Sequence, residues 1–562
     1  EVVRAFQEHC ATSVHRFEGT IALSLGDGLL VYFGVPVAHE DDAYRAVRTG
    51  LDIIAALSQL NVQLGTKLPV LSINPLRVRI GIHTGLVVAE EKIGWEGRDL
   101  LEAVGETPAL AMRLQSLAEP NSVVISEATA QLVRGFFECR ALGAGHFSGG
   151  AEPLAAYQVV SESEVRSRMD VAVARGLTPF VGRHAVLSTL ESCWQRARRG
   201  HGQVVLLSGE AGIGKSRLVQ TLRARIANAP HTWMECHCAS YHRNSPLYPA
   251  IDLLWRGLQF TRREEPARQF DKLERVLAAY GFPLAEAVPV FATLLSLPVP
   301  RERYPSRATP SPRQRQHLLE LLQRWLLKAA ERGPVVGIVE DLHWADPSTL
   351  EALSLFLDQV STQPILLLLT FRSEFQPPWP TASVLTHLRL DRLQREDAEA
   401  IAGHLMKDQV LTPELVSQLI ARADGVPLFL EELTKTVMAS VESVGPLMSR
   451  GPEEARERAR LSIPIPATLH DSLRARLDRL GPAKIVAQLG ATIGREFAFE
   501  VMQAVFDGDE HTLLAALDIL VAAELLSRRD DLPHATYVFT HALIQEAAYQ
   551  SLTKRTRQHY HQ

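Results

Sequence analysis

The chain has 562 residues, 46% of them hydrophobic and 22% charged, with a formal net charge of −5. That length exceeds one hydrophobic core and predicts about three to four domains, while the composition excludes general disorder. The acidic balance argues against a dedicated nucleic-acid binder, and five cysteines are too few for a disulfide scaffold and fit a reducing cytoplasm.

The first 160 residues alternate short strands and helices. "FEGTIALSLGDGLLVYFGV" (17–35) reads as strand, Gly-Asp-Gly turn, strand. "HEDDAYRAVRTGLDIIAAL" (39–57) reads as an amphipathic helix. Its Ala43, Ala46, Val47, Leu51, Ile54 and Ala55 recur at helical spacing, and its acidic start suits the helix dipole. "LRVRIGIHTGLVVAE" (76–90) is another strand–turn–strand, and "NSVVISEATAQLV" (121–133) a strand followed by a helix. The mixture predicts an α+β layer with helices packed on one sheet.

"SESEVRSRMDVAVARGLT" (161–178) is a polar linker. "GQVVLLSGEAGIGKSRLVQTLRARIA" (202–227) is strand, glycine loop, helix. "PVVGIVEDLHWAD" (334–346) and "PILLLLTFRSEF" (364–375) are further buried strands with polar C-terminal ends. Together they predict a doubly wound parallel sheet that binds ligands at those ends. The Pro/Arg/Ser-rich stretch 297–316 reads as a loop. From about residue 390 the pattern turns helical, a charged connector follows at 449–462, and "TLHDSLRARLDRL" (468–480) restarts a helix with Leu473, Leu477 and Leu480 on one face. "PILLLLT" (364–370) is too short to span a bilayer, so no membrane segment is expected. The chain begins at Glu1 rather than Met and is expected to be a fragment.

"GEAGIGKS" (209–216) matches G-x-x-x-x-G-K-S and sits between an apolar strand and an amphipathic helix, the context such a loop requires. Backbone amides of Gly209, Glu210, Ala211, Gly212, Ile213 and Gly214 would turn toward a β-phosphate at the positive end of the helix that carries Arg217. Lys215 would bridge the β- and γ-phosphates, and Ser216 would ligate Mg²⁺. "VVGIVED" (335–341) ends in two carboxylates. One of Glu340 and Asp341 would hold Mg²⁺ and the other would orient the attacking water, with the assignment open. Arg372 reads either as a γ-phosphate sensor or as a surface arginine after a strand.

"FVGR" (180–183), "GEAGIGKS", "VEDLHWAD" (339–346), "TFR" (370–372) and "GVPLFLEEL" (425–433) occur here in the order found in STAND signalling ATPases, relatives of AAA+ proteins, which residues 176–440 resemble. The resemblance implies that Val181, Gly182 and Arg183 lie near an adenine and that Pro427 reaches the nucleotide from a helical lid. It also implies a winged helix over 460–562. On that basis His541 is either the histidine that holds an ADP-bound closed state or a packing histidine.

The first 160 residues resemble class III adenylate/guanylate cyclases through "GDGLLVYFGVP" (26–36), "EDDAYRAVRTGL" (40–51), "RIGIHTG" (79–85) and "VGETPALAMRLQ" (104–115). The implied fold is a ferredoxin-like sheet that dimerises head to tail, and the implied chemistry is attack of a ribose 3′-hydroxyl on the α-phosphate with two metal ions. Asp27 matches one metal aspartate, while the other would precede residue 1. Arg113 matches the phosphate arginine. Ala109 replaces the asparagine that would hold the ribose, and Leu23 and Glu102 stand at base-selecting positions. One lost oriented donor costs about 3–4 kcal/mol of transition-state stabilisation, and a lost metal ligand adds to it.

The whole chain resembles bacterial adenylate cyclase–ATPase fusions, which continue into helical repeats that sense a partner. The expected fold is thus multidomain α/β. A ferredoxin-like cyclase-homology domain (1–160) and a linker (161–178) lead into a P-loop ATPase core (179–385). A helical lid (386–448), a second linker (449–464) and a winged-helix-like domain (465–562) follow. The expected function is a cytoplasmic ATP/ADP-binding, Mg²⁺-dependent signalling switch with slow ATP hydrolysis. Its cyclase-like domain is expected to be silent and to mediate self-association, with a protein partner for the missing C-terminal repeats. The alternatives are an active adenylate cyclase under ATPase control and an ATP-dependent transcriptional regulator. The group Cys236, His237, Cys238 and His242 lacks a convincing fourth metal ligand, so Cys236 and Cys238 are expected to pack in the core.

Overall fold

The computed structural model describes residues 2–560 apart from 26–27, 36, 40, 68–73, 86, 94–98, 105, 146–153, 164–168, 171–172, 174–175, 240–241, 244, 261–263, 301, 305–310, 380–384, 407–412, 445–472, 475–476, 479, 524, 530–534, 540–541, 553–555 and 558–559. The protein is a mixed α/β chain with several sheets that divides into two compact units. Thr178–His404 with Gly425–Leu428 form one, and Glu1–Leu177, Leu405–Asp424 and Phe429–Gln562 form the other.

In the second of these, helix α1 (Val2–Arg16) leads into the hairpin β1 (Thr20–Leu25) and β2 (Gly28–Tyr32), and helix α2 (Asp42–Lys67) follows. Strands β3 (Arg79–Ile82), β4 (Val88–Ile93) and β5 (Asp99–Val104) precede helix α3 (Glu106–Leu117). Strand β6 (Ser122–Ser126), helix α4 (Glu127–Leu132) and strands β7 (Phe137–Gly145) and β8 (Leu154–Glu162) complete this region. The single expected sheet is divided. Among the described residues β1–β2 and β4–β5 form separate antiparallel ladders, and the main sheet runs β3-β6-β8-β7. Helices cover both faces of β6: Val123 and Ile125 pack with Val47 of α2, and Val124 packs with Leu114 of α3. That is why "SVVIS" is buried throughout rather than alternating.

The ATPase-like unit opens with helix α5 (His184–Arg198), strand β9 (Gln203–Ser208), helix α6 (Lys215–Ile226) and strand β10 (Thr232–His237). Helices α7 (Tyr248–Gly257), α8 (Pro266–Ala279), α9 (Leu284–Leu294) and α10 (Ser311–Glu331) then build a core of their own around Phe270, Phe291 and Trp325. The stretch 297–316, read as loop, is therefore helical from Ser311. Strand β11 (Val335–Glu340), helix α11 (Pro347–Val360) and strands β12 (Ile365–Phe371) and β13 (Leu385–Arg389) complete a five-stranded parallel sheet of order β10-β11-β12-β9-β13. Strand β13 pairs with β9, so the sheet runs past residue 385, where the lid was expected to begin. Backbone pairing on an edge, not an apolar run, makes "LTHLR" a strand.

Close approach of β9 to the end of α11 requires Gly202: a Cβ there would lie 1.8 Å from the Val360 carbonyl oxygen. Gly202→Ala is expected to destabilise this unit by about 3 kcal/mol, lowering its melting temperature by roughly 10 °C in a thermal scan.

Helix α12 (Arg395–Met406) follows the sheet, then α13 (Pro413–Ala423) and α14 (Pro427–Val444). The C-terminal region holds α15 (Ala483–Ile493), β14 (Glu496–Ala498), α16 (Phe499–Val505), α17 (Glu510–Ala522), β15 (Leu526–Arg529), β16 (Thr536–Phe539) and α18 (Ala542–Gln550). Its sheet is antiparallel with order β14-β16-β15. Of the three leucines expected on one face, Leu473 and Leu477 are buried and Leu480 is half-buried.

Candidate functional site

The chemistry gathers at the C-terminal ends of β9, β11 and β12. The loop from Gly209 connects β9 to α6, and Gly214 caps α6 at φ +103°, a conformation that favours glycine and leaves the first helical amides open at the positive helix end. Lys215 starts the helix and is 8% exposed. Its ammonium donates to the carbonyls of Gly209 (2.8 Å) and Glu210 (2.9 Å). Burial disfavours its charge and holds its pKa at about 8; nearby Asp341, Glu374 and Glu340 act against that, and Arg372 adds to it. Ala211 and Ile213 complete the loop, Ile213 buried in the core. Glu210 is engaged by Arg392, whose Nη2 lies 3.1 Å from its Oε1.

Glu340, the last residue of β11, is 3% exposed and accepts a hydrogen bond from Ser216 Oγ at 3.0 Å. Burial pushes its carboxyl pKa up, with His237 opposing the shift. Asp341 turns out of the strand at φ +55°, its N–H donating to Thr370 Oγ1 at 3.1 Å and its side chain 48% exposed. Strain of this kind collects at functional sites, and aspartate is among the few residues that tolerate it. Arg372 follows β12 and is buried, which is at odds with a surface arginine. Two buried cations, Lys215 and Arg372, thus lie near enough to repel one another, at a place whose natural complement is an anion.

Val181, Gly182 and Arg183 precede α5. Arg183 Nη2 donates to the carbonyls of Ile213 (2.9 Å) and Asp391 (2.8 Å), which ties this segment to the glycine loop. Arg217 of α6 donates to the Thr178 carbonyl. Pro427 begins α14, and the next residue touches the loop: Leu428 N–H donates to the Gly212 carbonyl at 3.3 Å. At φ +76°, Gly212 has room for no side chain, because a Cβ would lie 2.9 Å from Leu428 Cβ.

The Ser216 hydroxyl and the buried Glu340 carboxylate therefore meet as oxygen donors, and Asp341 follows Glu340 in the chain. That chemistry fits Mg²⁺. His541 and Asp27 lie outside the described residues. In the other unit Ala109 is exposed on α3, one turn before Arg113. Arg113 Nη2 is buried with no hydrogen-bond partner among the described residues.

Two residues stand beside Glu340: Glu235, which sequence reasoning missed, and His237, which it named only within a cysteine–histidine group that lacks a fourth ligand. Strand β10 alternates, so Met234, Cys236 and, just past its end, Cys238 face the core while Glu235 and His237 face the other way. His237 Nε2 lies 3.3 Å from Glu340 and 3.6 Å from Glu235. Burial opposes charge on His237, but the two carboxylates outweigh it and raise its pKa. The alternation in "TWMECH" was a usable signal; the pairing of His237 with Glu340 was not.

Because burial keeps the Lys215 ammonium near its titration point and a bound polyphosphate restores its charge, nucleotide affinity should depend on pH. Below pH ~8 the lysine is charged before and after binding, so this group leaves affinity flat. Above it, binding must take up a proton, and affinity falls by up to about tenfold per pH unit. Calorimetric titration between pH ~7 and ~9 checks this.

The family described as AAA ATPase domain matches residues 179–368, and the family described as adenylate and guanylate cyclase catalytic domain matches residues 12–161. A curated, uncharacterized protein of Rhizobium meliloti (strain 1021) is 29% identical over 574 residues, which takes in all of this chain; the chain spans 53% of that relative's length. Among solved structures, the guanylyl cyclase Cya2 is 31% identical over 29% of this chain and 80% of its own, with a TM-score of 0.27. The adenylyl cyclase CyaB from P. aeruginosa is 25% identical over 30% of this chain and 84% of its own, with a TM-score of 0.25. Among the described residues no helix is long and apolar enough to cross a membrane. The chain thus joins a domain of the class III adenylate/guanylate cyclase family to a domain of the AAA ATPase family.

Proposed function

We propose that the protein is an ATP-driven signalling switch that hydrolyses ATP slowly, and that its cyclase-family domain serves regulation and self-association rather than cyclisation. The observation that carries this reading is the pairing of Ser216 with Glu340 beside a buried Lys215 and a buried Arg372, at the end of one parallel sheet. Amides at the start of α6 and the Lys215 ammonium hold the phosphates. Glu340 takes the metal side, since its carboxylate holds the Ser216 hydroxyl, and the more exposed Asp341 orients the attacking water. When bound, Mg²⁺ supplies charge neutralisation at the β- and γ-phosphate oxygens. Arg372 stabilises charge on the transferring phosphoryl group. Val181–Arg183 border the adenine, and Pro427 links the nucleotide to the helical segment, so that ADP-for-ATP exchange alters the hold on that segment. Residues 465–562 act as a winged helix.

Ala109 supports a silent cyclase-family domain, because its methyl group offers no hydrogen bond to a ribose although Arg113 is retained. Purified protein supplied with Mg²⁺-ATP or Mn²⁺-ATP is expected to release phosphate at a slow rate and to form no cyclic AMP or cyclic GMP. Cyclic nucleotide above background would reinstate an active cyclase, and no nucleotide affinity at millimolar concentration would end the switch reading.

A further inference from the structure

We infer that Glu235, His237 and Glu340 form a binding site for a transition-metal dication of the Zn²⁺ class, distinct from the Mg²⁺ position, and that its occupation brakes the ATPase. The brake rests on the proposed role of Glu340; the metal site does not. Three donor atoms, one from each residue, lie within 4.8 Å of one another. Zinc bonds of about 2.0–2.1 Å at tetrahedral angles place neighbouring donors about 3.3 Å apart. His237 Nε2 stands 3.3 Å from Glu340 Oε2 and 3.6 Å from Glu235 Oε1. The three side chains are 15%, 4% and 9% exposed.

The backbone builds this arrangement. Glu235 and His237 are two apart on β10 and share a face, and parallel pairing sets His237 opposite Glu340 on β11. Their supports are also in place: Trp233 Nε1 donates to Glu235 Oε2 at 2.7 Å, which leaves Oε1 toward the histidine. Ser216 orients Glu340. Such outer hydrogen bonds fix ligand geometry. One imidazole and two carboxylates leave a position for water and favour Zn²⁺ over Mg²⁺, which prefers oxygen and near-octahedral surroundings. Cys236 points to the opposite face, into the core, and is not a ligand. A metal held here draws on the carboxylate that Ser216 and Mg²⁺ need, so the two ions compete through Glu340.

The test is equilibrium dialysis of the nucleotide-free whole chain with Zn²⁺ alone, with Co²⁺ absorption as a second readout of coordination. Wild-type protein should hold one tight Zn²⁺ more than His237→Gln, and Glu235→Gln should bind it about 10–100-fold more weakly. Two variants guard against misfolding of one, and circular dichroism verifies each. Zinc should also raise the Mg²⁺ needed for half-maximal hydrolysis in the wild type. Equal zinc stoichiometry and affinity in the wild type and both variants overturns the site. Absence of hydrolysis in Mg²⁺ alone defeats the ATPase reading, and with it the brake, while the dialysis still decides the site.

Discussion

Lys215→Ala is expected to weaken binding of ATP and ADP by about 100-fold or more. A charge-assisted hydrogen bond with a phosphate oxygen contributes about 3 kcal/mol, and each 1.4 kcal/mol is tenfold in affinity. The buried position sharpens the effect, because little water reaches the loop to replace the ammonium. In the unliganded loop Lys215 caps the carbonyls of Gly209 and Glu210. Alanine leaves those oxygens pointing toward the phosphates and so adds repulsion to the lost attraction. Calorimetry with Mg²⁺-ATP measures the change, and circular dichroism verifies that the fold is kept. Unchanged affinity would show that the phosphates sit elsewhere.

The two carboxylates that close β11 should separate by kinetics. Asp341→Asn is expected to lower the hydrolysis rate about 10²–10³-fold while the Mg²⁺ requirement stays within a few fold, the behaviour of a group that acts on the transition state. Glu340→Gln keeps the shape and the Ser216 hydrogen bond but loses the charge, and it is expected to raise the Mg²⁺ concentration for half-maximal activity about tenfold or more. Hydrolysis rates across a Mg²⁺ titration check both. The opposite pattern would exchange the two roles, which are assigned from the Ser216 contact of Glu340 and the exposure of Asp341.

The phosphate loop was legible because its chemistry is local. A strand, "GEAGIGKS" and a helix put amides, ammonium and hydroxyl in place within eight consecutive residues, and glycine marks the backbone angles it must adopt. The segment 335–341 was legible as an apolar strand ending in two carboxylates, though not which carboxylate meets Ser216, since that depends on the rotation of β11 against α6. Strand β6 was legible as a strand, though its burial on both faces was not. The divided sheet of the cyclase-family domain was not, because strand partners are chosen by hydrogen bonds between distant segments.

What the sequence determined by itself is therefore the pair of domain families, the order of their parts, and the residues of the loop that meets phosphate. All of these rest on short-range pattern and covalent neighbourhood. Only the tertiary structure decided that β13 extends the sheet, that the Leu428 amide meets Gly212, and that His237 and Glu235 stand beside Glu340. Apart from the neighbours Glu235 and His237, those contacts join residues about one hundred to more than two hundred places apart, and their distances follow from sheet register and from which face of a strand is buried, neither of which a one-dimensional pattern carries.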